Sequence, residues 1–167
     1  MRALKIEQTD TSPEVVLELE SETYLIKGES RPENVSEFYE PIMKWIEDWG
    51  AQLYYRVQQY GKKENHAVRF YFEYFNSSSA KYIMDLFLKI NEINASSNMI
   101  EIKIEWAYDA LDEDIEESGR EFEVLTSIQF DFIPIEEPLW KIMKKQKSSL
   151  KRELLRFFLG SNQGPSD

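Results

Sequence analysis

Residues 66–93, HAVRFYFEYFNSSSAKYIMDLFLKINEI, constrain this chain more than any other stretch. Across 66–75 aromatic and apolar residues alternate with polar ones, the period of a strand with one covered face. That phase puts Val68, Phe70, Phe72 and Tyr74 on one side. From residue 78 to 93 the period changes. Apolar residues fall at 80, 83, 84, 86, 87, 90 and 93, the spacing of an amphipathic helix. Only N-S-S-S separates the two periods. A strand that passes so abruptly into a helix builds a βα unit, and repeated units of this kind build an α/β protein.

The same alternation recurs on both sides. LKIEQ (4–8) reads as a short strand and TDTSP (9–13) as a turn. Val15–Glu20 and Thr23–Gly28 read as a hairpin closed by Ser21 and Glu22. A helix follows from about residue 30, with Phe38, Ile42, Trp45, Ile46 and Trp49 at helical spacing. Ser30 and Glu33 fit a capping box, with Asn34 as a rival cap. Pro41 predicts a kink or break in this helix, and Gly50 predicts its end. Residues 99–108 alternate again, placing Ile100, Ile102, Ile104 and Trp106 on one side. An acidic loop at 109–114 enters a further helix, and 127–135 reads as the last strand. Residues 138–159 form a basic amphipathic helix pattern and 160–167 a disordered end. The expected order is β-β-β-α-β-α-β-α-β-α, with right-handed crossovers.

Charge is divided along the chain. Residues 1–138 carry 13 basic and 29 acidic side chains, and residues 139–167 carry 7 and 2, within a total of −11. An acidic body repels phosphate backbones, so no nucleic-acid partner is expected. No run of 18 apolar residues and no signal-peptide pattern occurs, and there are no cysteines. The expectation is a cytoplasmic protein without disulfides, cofactor or metal, and not one docked on a membrane.

An enzyme is not expected. His66 is the single histidine and opens a strand, which leaves triads and histidine metal sites without parts. The phosphate-cradling patterns GxxxxGK[ST] and GxGxxG are absent. Asp109, Asp112, Glu113 and Asp114 lack the spacing and glycine of an EF-hand loop, and read as a solvated or partner-facing acidic loop.

The N-S-S-S block permits two readings. One serine hydroxyl can cap the helix by accepting from a free N–H, contributing about 1 kcal/mol over alanine. A phosphate would also suit the positive end of a helix. There it would add up to about two negative charges. If the strands are parallel, this block shares one sheet edge with GESRPEN (28–34) and YDALDED (108–114), where open α/β sheets place their sites.

Four stretches in order, TDTSPEVVLELES, GESRPENVSEFYEPIMKWIEDW, FYFEYFNSSSAKYIMDLF and IEWAYDALDEDIEESGREFE, resemble the SiaC family of bacterial regulatory phosphoproteins. The likeness covers roughly residues 6–133. It implies a STAS-like mixed β-sheet packed with helices. It also implies a partner switch run by a protein kinase and a PP2C-type phosphatase, whose unphosphorylated form binds an effector enzyme such as a diguanylate cyclase. The family's phosphoacceptor directly follows the asparagine of the block, here Ser77, with Ser78 and Ser79 as fallbacks. Arg31, Glu33, Asn34, Tyr39, Asn76, Lys81, Asp109 and Asp112 are expected partner contacts. The regulatory domain should occupy residues 1–134. Residues 135–167 then form a basic helical extension with a disordered tail, read as docked on the acidic body, bound to a partner, or pairing two copies as a homodimer. The alternative is a constitutive scaffold or dimerisation module whose serines are caps only.

Overall fold

The computed structural model describes residues 1–136 and 150–158. The chain divides into two units, Met1–Ile135 and Glu136–Asp167. The first holds β1 (Leu4–Ile6), β2 (Glu14–Glu18), β3 (Thr23–Ser30), α1 (Val35–Tyr60), β4 (Glu64–Phe75), α2 (Ser77–Ser96), β5 (Ile100–Asp109), α3 (Glu113–Thr126) and β6 (Phe130–Ile135). In the second, residues 150–158 are helical and expose Leu150, Leu154 and Phe157 beside Lys151, Arg152 and Arg156. The rest of the expected C-terminal helix and the tail lie outside the described residues.

The six strands pair in sequence order, β1 to β6. β1–β2 and β2–β3 are antiparallel, and β3–β4, β4–β5 and β5–β6 are parallel. The mixed sheet is therefore as expected. Each parallel step is joined by one helix, and crossovers of one hand along an unreversed order put all three helices on the same face. Their apolar sides share one core with Ile26, Phe70, Ile104 and Trp106. The other face bears charged side chains that pair across strands: Arg69 with Glu105 at 2.7 Å, Lys103 with Asp131 at 3.6 Å, and Lys27 over the Tyr71 ring at 5.6 Å.

Three local expectations are corrected. α1 neither breaks nor ends where predicted. Pro41 lies inside it and is exposed, so the carbonyl left without an N–H donor can turn to water. Tyr39, Ile42, Trp45 and Ile46 anchor the helix on both sides of it. Gly50 is a buried contact rather than a terminator. A Cβ there would fall 2.5 Å from Ile93 Cγ1, so glycine is what lets α2 approach α1. The helix stops at Gly61, whose left-handed φ of 60° lets its N–H reach Val57 O at 2.9 Å. The third correction concerns Tyr74, which is 49% exposed and not in the core. Gly28 pairs with Phe72 but Glu29 pairs with Tyr74, so Glu73 is an extra residue in β4. This bulge reverses the alternation and turns Phe75 inward against Phe72, Trp106 and Phe122.

Candidate functional site

Because β3 through β6 run parallel, the starts of α1, α2 and α3 gather at one edge of the sheet. Ser30 is level with Phe75, and Asp109 with Ile135. All three helices begin the same way. A short polar side chain at the N-cap accepts from the third helical N–H: Asn34 from Glu37 at 3.2 Å, Asn76 from Ser79 at 2.9 Å, and Asp112 from Ile115 at 3.1 Å. The first turns of α1 and α3 carry Glu37 and Glu113, Asp114 and Glu116; that of α2 carries no acid.

The cap of α2 is thus Asn76, not a serine. Its extended backbone (φ −85°, ψ 171°) lets the side chain curl back over the first turn. Asn34 likewise displaces Ser30, which is the last residue of β3 and fully buried. The three serines of the block have separate environments. Ser77 and Ser78 are exposed, and among the described residues their hydroxyls make no hydrogen bond. Ser79 is fully buried. Ser30 Oγ donates to Ser79 Oγ at 2.9 Å and shares a 2.6 Å hydrogen bond with the Tyr39 hydroxyl. Since the Ser30 proton goes to Ser79, the phenol of Tyr39 is the donor to Ser30.

Tyr39 was expected at the surface but is 1% exposed. It lies between Phe38, edge-on at 5.1 Å, and Tyr82, stacked at 5.5 Å. Burial pushes its phenol from 10.0 up to about 12, against a smaller opposing effect of the nearby Ser30 and Ser79 hydroxyls. The pKa is raised in the fold, so this contribution is intact below pH 10 and is lost as pH rises through 10 to 12. The loss should reach about 2–3 kcal/mol. Urea midpoints across that range check it: Tyr39→Phe should flatten the alkaline fall.

The remaining expected contacts are spread around the edge. Arg31 is exposed and paired with Glu29, which raises the guanidinium pKa. Glu33 and Asn34 line a groove of about 380 Å³ with Ile6, Glu37, Phe38 and Pro41. Lys81 is exposed one turn beyond Ser77, without an ion pair among the described residues. Asp109 accepts from the Leu111 N–H at 3.0 Å and Asp112 caps α3, so both carboxylates are used within their own loop. Among the described residues no cluster has the makings of a metal site. His66 bonds Glu64 at 3.0 Å near the start of β4. That is roughly 30 Å of strand away from Ser77. The Ser30–Ser79 pair was missed in the sequence, although strand parity through Tyr24, Ile26 and Gly28 points Ser30 inward.

The model of the family described as SiaC family regulatory phosphoprotein matches residues 6–135. The chain belongs to the SiaC family. Similar solved structures include apo-SiaC from Pseudomonas aeruginosa, at 22% identity and a TM-score of 0.66, covering 80% of this chain and 99% of that one. A second structure of SiaC of Pseudomonas aeruginosa gives 21% and 0.62, covering 82% and 100%. A third, diguanylate cyclase SiaD in complex with its activator SiaC from the same organism, gives 22% and 0.66, covering 80% and 99%. These likenesses show a common fold. No curated protein matches this chain in sequence. Among the described residues no helix is long and apolar enough to cross a membrane.

Proposed function

We propose that this SiaC-family chain is a non-catalytic partner-switching protein of the bacterial cytoplasm, reversibly phosphorylated on Ser77. A dedicated protein kinase adds the phosphate and a PP2C-type phosphatase removes it. The unphosphorylated form binds an effector enzyme, a diguanylate cyclase being the first candidate, as SiaC of Pseudomonas aeruginosa is the activator of SiaD. The observation that carries the reading is the position of Ser77. It is the exposed first residue of α2, its helix is already capped by Asn76, and no acid occupies that turn. Among the described residues its hydroxyl makes no hydrogen bond that modification would break. A phosphate there meets free N–H groups and lies four residues before Lys81, an exposed neighbour one turn on. It also fills the neutral gap between two acidic helix starts, so the whole edge turns negative and an effector seated on it is released.

Ser78 is the fallback acceptor. Ser79, buried in its hydroxyl chain, would have to leave the fold to be modified. The family match ends at residue 135, and for residues 136–167, which lie beyond it, we propose a second contact with a partner or a second copy. The scaffold reading keeps only this extension as its support, since the serines do not cap.

The test begins with protein purified from its native cells. Peptide mass spectrometry should find one phosphate, on Ser77, removed in a phosphatase-treated control. The diguanylate cyclase of the same organism should then bind Ser77→Asp at least tenfold more weakly than Ser77→Ala, about 1.4 kcal/mol. Equal binding of both variants by every captured partner would sink the switch.

A further inference from the structure

Two of the three buried polar residues described are Ser30, at the end of β3, and Ser79, in the first turn of α2, and Glu64 is the third. They belong to a closed circuit. The Asn76 N–H donates to Ser30 O at 3.1 Å, the Ser79 N–H to Asn76 Oδ1 at 2.9 Å, and Ser30 Oγ to Ser79 Oγ at 2.9 Å. Ser77 and Ser78 are the two residues between its anchors. From Ser30 one branch leaves the circuit, the 2.6 Å bond to Tyr39 in the second turn of α1.

We infer that the chain Ser79–Ser30–Tyr39 couples the first turn of α2 to the start of α1, so that a phosphate on Ser77 is felt at the neighbouring loop of the same edge. Phosphate oxygens on the first residue of α2 compete with Asn76 Oδ1 for the N–H groups of that turn. Any displacement of Ser79 changes its bond to Ser30, and hydrogen bonds weaken steeply when distance and angle depart from their optimum. The Ser30 hydroxyl has one proton, so redirecting it changes what Tyr39 can donate to. Tyr39 stands on α1 two residues after Glu37, which is bonded to Asn34, and Asn34 lines the groove beside Glu33. The edge then responds as one surface: modification of one loop alters two. Tyr39 is a positioning residue in this scheme and touches no partner itself.

The inference rests on Ser77 being the modified residue, and its test separates the two. Phosphoserine is installed at position 77 of the full chain by genetic encoding, which needs no kinase and no effector. Amide hydrogen exchange is then followed in α2 at Ser77–Lys81 and in α1 at Phe38–Ile42. In the wild-type background both segments should change, α1 by at least about threefold. With Tyr39→Phe, which keeps the ring stacked on Tyr82, α2 should still respond while α1 changes by less than about 1.5-fold. Ser79→Ala, the gentler variant, should uncouple them in the same way. A merely structural role would shift exchange equally with and without the phosphate and leave the difference intact. The inference is overturned if α1 responds equally in wild type and both variants, or if α1 stays silent in wild type. A lack of any phosphate on Ser77 in native cells would remove the proposed function and leave this coupling measurable.

Discussion

Ser79→Asp is expected to lose stability on the order of 3–5 kcal/mol, the cost of an uncompensated buried charge, whereas Ser77→Asp, two residues earlier, should be neutral or slightly stabilising. Ser79 is fully buried, and its oxygen already meets Ser30 Oγ at 2.9 Å. A carboxylate there must give up water with only hydroxyls to replace it. At Ser77 the same carboxylate stays in water at the positive end of α2, where it should contribute about 0.3–1 kcal/mol. Urea unfolding followed by far-ultraviolet circular dichroism separates these outcomes. The Ser79 deficit should also shrink at low pH, since a carboxyl protonated in the fold no longer carries charge. If the two variants were equally stable, the separation of exposed from buried serines, and with it the choice of Ser77 as acceptor, would be wrong.

The second large effect belongs to the core. Trp106→Ala should cost about 3–5 kcal/mol, a large part of the whole stability of a domain this size. Trp106 is fully buried on β5 and its ring contacts Phe72, Phe75, Phe87, Phe122 and Phe130. Its indole N–H donates to Ile115 O at 2.9 Å, in the first turn of α3. It also lies against Gly119, where a Cβ would fall 2.5 Å from the indole. The substitution therefore empties the junction of β4, β5, β6, α2 and α3 and removes the indole's hydrogen bond to the start of α3. A urea midpoint within about 1 kcal/mol of wild type would show that this junction is not where the core is concentrated.

Strand and helix periods are local properties, and they carried most of the fold. The abrupt change of period at N-S-S-S placed β4 and α2, and its repetition placed β5 with α3. Parallel pairing was a condition the periods did not settle; the structure shows it from β3 to β6, and with it the edge where three helix starts meet. The short motifs were specific enough to identify the family, and the choice of Ser77 came from that resemblance rather than from the block's own chemistry, which left cap and acceptor open. Elsewhere local signals misled because they had rivals. Ser30 and Asn34 both satisfy a capping pattern; strand parity decides for Asn34, since it commits Ser30 to the core. Gly50 and Gly61 are both plausible helix ends. Only the packing of Ile93 against one of them shows which is a terminator and which is a contact.

The sequence by itself determined the order of elements, the α/β class and the hydroxyl offered at the start of α2, because these depend on side-chain period and on neighbours a few residues away. Tertiary structure alone decided which serine faces water. Ser77, Ser78 and Ser79 are chemically identical and consecutive, and what distinguishes them is Ser30, 49 residues from Ser79, and Tyr39 on another helix. The bulge at Glu73 is a decision of the same kind: an extra residue opposite Gly28 and Glu29 turns Tyr74 out and Phe75 in, which no alternation within β4 can reveal. Contacts between segments remote in sequence set burial, and burial sets which groups can react.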